Sequence, residues 1–233
     1  MGGGVKGSVA RFSAYRQQKM IAKPLTQTGK DFDIPLDIRY INTKIVNEKE
    51  WAKLQNLENA AAYWDEKKQT IVIRRTYFTR LDRGVLTHEY LHTQAGPKKY
   101  NTSLGRILEE GTVEHLKQYT LEKNFKTRSK KFSKQYFTYN DETDYVKSIM
   151  TIVGEKKFVK YWRNGFVNSK DALAQDLQRK GYVATATIIA NYDIAYFYSK
   201  NHVYNILQGE IKEKGTFSYG KRLAIENYEK PTE

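Results

Sequence analysis

Residues 79–97 read TRLDRGVLTHEYLHTQAGP and carry a helical pattern from which the rest of the chain can be placed. Apolar and histidine side chains recur every three or four residues, the spacing of one helical face. They are Leu81, Val85, His88, His92 and Ala95. Thr79 precedes the pattern, and Gly96 with Pro97 follows it. We therefore expect a helix with a threonine N-cap and a Gly-Pro stop.

Upstream of this helix, the sequence predicts mostly strands. Apolar residues alternate over 34–41, the period of a strand with one buried face, and residues 47–58 carry a short helical pattern. Two β-prone runs, 60–64 and 70–75, are joined by the charged stretch Asp65-Glu66-Lys67-Lys68. That arrangement predicts a β-hairpin directly before the helix.

Downstream, helical patterns dominate, over 103–124, 142–153, 155–163, 170–180 and 184–209. The sequence thus predicts an α+β protein: a small mixed or antiparallel sheet, then the helix of residues 79–97, then a mostly helical C-terminal half. Residues 1–30 are basic and show no sustained period, so we expect a flexible N-terminal arm. Residues 31–233 are expected to form a single domain.

Composition narrows the chemistry and the partners. The 233 residues include no Cys and 4 His, so a tightly held transition metal must use His and carboxylate ligands. The net charge of +14 favours contact with polyanions. The densest basic cluster, within 123–137, fits either a solvated loop or a polyanion-contacting patch. Neither a membrane-spanning run nor a signal peptide is evident, so we expect no transmembrane segment and favour a cytoplasmic location.

The sequence His88-Glu89-Tyr90-Leu91-His92 has the spacing H-E-x-x-H. Side chains at i and i+4 lie one above the other on a helix, so both imidazoles can bind one Zn²⁺. The Glu89 carboxylate then lies where it can take a proton from a zinc-activated water without binding the metal. We expect one zinc per chain, with Glu89 as general base.

A third protein ligand is expected on the helix over 103–124, in the sequence LEEGTVE of residues 108–114. Glu110 and Glu114 are four residues apart, so one can bind the metal while the other accepts an N–H from a ligand histidine. We expect Glu110 to be the ligand. Two alternatives stay open: Glu109 as the ligand, or Glu114 together with His115.

These motifs resemble those of the gluzincin zinc metallopeptidases, the thermolysin-like group that combines H-E-x-x-H with a downstream Glu. In that group a motif resembling E-G-x-x-E supplies the third ligand, which corresponds to Glu110. The resemblance covers roughly residues 60–120 and implies a zincin-like fold. Metzincins are a poorer match, because Ala95 and Lys98 stand where their motif requires Gly and His.

The same resemblance implies how a peptide or protein substrate would bind. Ala62-Tyr63-Trp64 is similar to the sheet-edge strand that binds substrate backbone in thermolysin-like enzymes, so Ala61, Ala62 and Tyr63 are expected to bind substrate. Ala61 stands where an Asn is common in that group. The oxyanion donor of the group corresponds by position to Tyr100 or to His202.

The sequence therefore predicts a zinc-dependent peptidase in which Glu89 activates water for hydrolysis of a peptide bond. Two alternatives stay open. One is a zincin-like binding or structural module with little turnover, as in a phage, plasmid or conjugative assembly. The other is a basic protein whose main function is polyanion binding.

Overall fold

The computed structural model describes residues 4–54, 60–75, 83–97, 102–124, 139–192 and 198–214; of residues 4–14, 17 and 83 it describes the backbone alone. The described strands are β1 (Asn42–Val46), β2 (Ala62–Asp65) and β3 (Thr70–Arg74). The described helices are α1 (Gly4–Phe32), α2 (Glu48–Trp51), α3 (Arg83–His92), α4 (Ser103–Asn124), α5 (Asn140–Val153), α6 (Glu155–Asn164), α7 (Phe166–Arg179), α8 (Val183–Ala190) and α9 (Lys200–Glu213). This content confirms the α+β class.

Contacts between Cα atoms group the chain into two compact units. The first consists of Met1–Asp31, Pro35–Gln94 and Lys117–Lys126, and it contains the sheet. The second consists of Phe32–Ile34, Ala95–Leu116 and Thr127–Glu233, and its described regular elements are helices. The predicted boundary near residue 30 and the single domain over 31–233 stay predictions.

The described strands form a mixed sheet in the order β1-β3-β2, with β1 parallel and β2 antiparallel to β3. The predicted hairpin is therefore confirmed. Ile71 and Ile73 are fully buried on one face of β3, whereas Val72 packs with Val46 and Trp51 on the other. Successive residues of a strand face opposite sides, so both faces of this short sheet are covered.

The helix predicted over 47–58 is shorter in the structure than the sequence pattern indicates. Helix α2 ends at Trp51, and residues 55–59 lie outside the described residues. Asn47 caps α2, because its side chain accepts from the Glu50 N–H while the Glu50 side chain accepts from the Asn47 N–H.

The strand predicted over 34–41 is wrong, since those residues belong to no described strand and β1 starts at Asn42. Two glutamine side chains occupy backbone groups that a neighbouring strand would pair. The Gln94 amide bonds both N–H and C=O of Asp37, at 2.7 and 3.1 Å. The Gln18 amide bonds those of Ile41, at 3.0 and 2.8 Å. Alternating hydrophobicity here marks an extended segment, not a strand.

The flexible arm predicted for residues 1–30 is also corrected, because Gly4–Phe32 is helical. Ile21 and Leu25 are buried, and the buried Thr28 hydroxyl lies 2.8 Å from the Thr120 hydroxyl of α4. Asp31 accepts from Lys123 at 2.6 Å, and the pKa of its carboxyl is held below its usual value chiefly by that hydrogen bond. Pro24 and many polar residues interrupt the apolar period of this helix, so the sequence does not reveal it.

The helix predicted over 103–124 is confirmed, and α5, α6 and α7 match the next three predictions within a few residues. The helix predicted over 184–209 is two helices. Ser199 caps α9 by accepting from the His202 N–H, and the Glu210 carboxylate caps α8 by accepting from the Ala184 and Thr185 N–H groups. The Ser199 cap starts a new helix, so α8 and α9 are separate where one apolar pattern predicts a single helix.

Gly96 and Pro97 follow α3 as predicted, whereas the proposed cap Thr79 lies outside the described residues. A Cβ on Gly96 would lie 2.4 Å from the Asn164 carbonyl carbon, so the two backbones touch at this point. In the part of the chain that the structure describes, no helix is long and apolar enough to cross a bilayer.

Candidate metal centre

Helix α3 brings the two motif histidines together. The Nε2 atoms of His88 and His92 lie 3.1 Å apart, and their ring centroids 4.7 Å apart. Both residues are buried, with 8% and 6% of their surface exposed. Their i, i+4 spacing stacks the two side chains on one helical face, which is why the sequence could place them.

Glu110 of α4 joins the pair. One ligand atom from each of His88, His92 and Glu110 can be chosen so that all three lie within 4.8 Å of one another. Two nitrogens at the usual bond length on a tetrahedral zinc would be roughly 3.3 Å apart, close to the Nε2 separation found here. The three residues therefore fit a single metal ion.

The described residues favour Glu110 over the alternatives that the sequence left open. Glu109 is buried but does not belong to the group of ligand atoms. His115 instead donates to the Glu155 carboxylate at 2.8 Å, and this hydrogen bond lowers the pKa of Glu155 below its usual value. Among the described residues, the group of ligand atoms therefore contains Glu110 and not the pair Glu114 and His115.

Two further carboxylates of the motifs are buried. Glu89 is 7% exposed and Glu114 is 1% exposed. An ionised carboxylate in such a position needs compensating charge or hydrogen-bond donors, and a bound cation nearby would supply part of this. The expected roles of Glu89 as base and of Glu114 as acceptor for a histidine N–H stay predictions.

The close approach of α4 to α5 explains why the residue after Glu110 is a glycine. A Cβ at Gly111 would lie 2.3 Å from the Glu142 carbonyl oxygen, so α4 and α5 approach closely there. No other residue type fits without moving one of the helices. The contact fixes the rotation of α4 at the residue next to Glu110.

Tyr90 and Gln94 anchor α3, and sequence reasoning missed both. Buried Tyr90 donates its hydroxyl to the Arg39 carbonyl, and burial raises its pKa to about 12. Gln94 holds Asp37 through the two bonds described above. Tyr90 lies on the side of α3 away from the histidines, and the apolar residues of 34–41 could have indicated a segment that packs there.

The expected substrate strand is an edge strand. In the described part of the chain, β2 pairs with β3 and no strand pairs with its other edge. Tyr63 packs edge-on against Trp51, with ring centroids 5.9 Å apart, so its ring already contacts another side chain of the protein. Ala62 is buried and β2 contacts α3, which fits small residues packing beneath a helix.

The register of the hairpin decides which backbone groups of β2 point away from the sheet. The Arg74 N–H donates to the Ala61 carbonyl at 3.0 Å, so the polar groups of Ala61 face β3. Because these groups alternate along a strand, those of Ala62 and Trp64 point outward.

Of the two candidate oxyanion donors, the described part of the chain contains one. Tyr100 lies outside the described residues. His202 lies in the first turn of α9, where its exposed ring stacks on Tyr198 with centroids 5.2 Å apart. His202 does not belong to the group of His88, His92 and Glu110.

The resemblance to gluzincin peptidases therefore depends on residues of β2, α3 and α4. The helical pattern beyond Thr120 adds no further motif. Comparison of the chain with protein-family models, with curated proteins and with solved structures finds no match.

Proposed function

We propose that this chain is a zinc-dependent peptidase with a zincin-like fold of the gluzincin type. The observation that supports the proposal most is the convergence of His88, His92 and Glu110, with ligand atoms within 4.8 Å, beside the buried Glu89. A site that only held a metal would have no need of this carboxylate.

The donor set of two imidazoles and one carboxylate suits zinc in a catalytic site, since three protein ligands leave one position open. Zinc, when bound, lowers the pKa of a water molecule and polarises a carbonyl group. The same donor types also suit iron(II), so metal analysis has to measure both ions.

Glu89 supplies the proton transfers of the proposed reaction. Its carboxylate takes a proton from the attacking water as the water oxygen bonds to the peptide carbonyl carbon. It then gives that proton to the leaving nitrogen as the C–N bond breaks, so the products are a carboxylic acid and an amine. Burial of Glu89 removes competing solvent from these transfers.

The outward edge of β2 is the proposed docking position of the substrate. An extended peptide pairing with the backbone of Ala62 and Trp64 would be held by main-chain hydrogen bonds, whatever its side chains. Because β2 contacts α3, such a peptide would run beside the helix that carries His88 and His92.

Glu89→Gln tests the proposal. The variant should keep its metal and fold and lose about 10²- to 10⁴-fold of kcat/KM on a library of quenched fluorescent peptides. Glu122→Gln is a matched control, because Glu122 is exposed near the end of α4, and it should keep full activity. Equal hydrolysis by Glu89→Gln would remove Glu89 from the mechanism. A metal-loaded wild-type protein that hydrolyses no member of the library would favour the non-catalytic module instead.

A further inference from the structure

The N-terminal segment that contains most of α1 lies far in sequence from the candidate metal centre and has an unusual composition. Residues 1–30 contain no Asp or Glu, and their basic residues are Lys6, Arg11, Arg16, Lys19, Lys23 and Lys30. Such a stretch creates a positive potential that neighbouring acidic side chains of the same segment do not cancel. It therefore accounts for part of the net charge of +14.

Burial divides the described part of α1 into two faces. Ile21, Leu25 and Thr28 are buried in the protein. Arg16, Lys19, Met20 and Lys23 lie on the exposed face, spaced three or four residues apart or next to one another. The helix thus presents a basic face to the outside. Its described aliphatic side chains, except Met20, lie largely on the inner face.

Two exposed tyrosines complete this face. The rings of Tyr15 and Tyr40 are tilted at 59° with centroids 5.5 Å apart, and the residues are 41% and 49% exposed. The Lys19 ammonium lies 5.3 Å from the Tyr15 ring centroid. Buried Gln18 bonds the backbone of Ile41 and so fixes the segment that carries Tyr40 against α1. The two rings are held together by the fold.

We propose that this surface, which we call the α1 patch (Tyr15, Arg16, Lys19, Met20, Lys23 and Tyr40), binds single-stranded nucleic acid. Exposed aromatic rings offer faces on which unpaired bases stack, and the surrounding cations contact the phosphates. A lipid surface fits less well, because insertion requires an apolar face and the described aliphatic side chains of this helix lie mainly in the core. A duplex would not use the ring faces, since its bases are already stacked.

The proposal does not depend on the peptidase activity, and it is tested by fluorescence anisotropy with labelled 20-nucleotide dT and dA strands. Tyr15→Ala with Tyr40→Ala should weaken binding about 5- to 100-fold per stacked base. Tyr15→Phe with Tyr40→Phe keeps both ring faces and should retain most of the affinity. Equal affinity of the Ala and wild-type proteins would overturn the proposal.

A second pair of variants tests the charges. Lys19→Gln with Lys23→Gln should lower the slope of log affinity against log salt by about 1.4, since each contacted phosphate contributes roughly 0.7 on single strands. Lys49→Gln with Lys53→Gln removes the same charge from exposed positions elsewhere and should leave the slope unchanged. Equal slopes for the two pairs would reduce the binding to diffuse attraction. Binding to anionic vesicles without binding to either strand would replace nucleic acid by a membrane surface.

Discussion

At the scale of single residues, the candidate centre combines side chains placed by two different causes. His88 and His92 converge because one helix dictates the i, i+4 geometry, so the sequence alone could place them. Glu110 lies on a different helix, and the neighbouring Glu109 shows that sequence alone does not decide which carboxylate of α4 is the ligand. Measurements on variants are therefore needed to tell whether Glu110 or a neighbouring carboxylate binds the metal.

Glu110→Ala should weaken zinc binding far more than Glu114→Ala. A direct ligand loses a bond to the metal, whereas a residue that orients a ligand histidine typically costs about 10- to 100-fold in affinity. Competition titrations with a zinc-binding dye would rank the two variants, with Glu109→Ala as a further comparison. The reverse order for Glu110 and Glu114 would mean that a different face of α4 points to the histidines.

At the scale of elements, two features of the candidate site depend on the backbone and not on side chains. α4 and α5 meet at Gly111, so the position of the helix that carries Glu110 depends on a residue with no side chain. The edge strand β2 depends in a similar way on backbone groups, whose direction follows from the hairpin register. Each feature leads to a substitution with a matched control.

Gly111→Ala should destabilise the protein by about 1–3 kcal/mol, because the new methyl group meets the Glu142 backbone and the helices must separate. Gly209→Ala is the control: a Cβ there meets nothing within 4 Å, so it should stabilise α9 by about 0.5–1 kcal/mol. Denaturant unfolding measures both free energies. A Gly111→Ala protein as stable as wild type would contradict the close approach.

Ala62→Pro should lower peptide hydrolysis while zinc content stays normal, because proline removes an N–H that points away from the sheet. Ala62→Gly keeps that N–H and should retain most of the activity. Ala61→Pro is less informative, since the polar groups of Ala61 face β3 and its loss would disturb the hairpin itself. Unchanged turnover in a folded, metal-loaded Ala62→Pro protein would place the substrate elsewhere.

The elements that sequence could predict are those whose pattern reflects local geometry. The hairpin and α4 are of this kind, because two β-prone runs around a charged turn and a long run of helical pattern can each be recognised from neighbouring residues. Residues 34–41 misled the prediction, because alternation cannot show that Gln18 and Gln94 occupy their backbone groups. The break between α8 and α9 was missed because Ser199 forms a cap that apolar periodicity does not record.

At the scale of the whole molecule, the 4 histidines divide into two classes. His88 and His92 are expected to hold the metal, whereas His115 bonds Glu155 and His202 stacks on Tyr198. Because the chain has no Cys, no thiolate can replace a lost imidazole. Metal content is therefore a direct readout of the site, independent of any knowledge of the substrate.

The decisive measurement is zinc and iron per chain, by mass spectrometry of the elements, in four histidine-to-alanine variants dialysed beside the wild type. We expect about one zinc in the wild type, His115→Ala and His202→Ala proteins, and a loss of zinc in His88→Ala and His92→Ala, because two remaining ligands hold the ion too weakly. Undiminished zinc in both His88→Ala and His92→Ala would show that these histidines do not hold the metal.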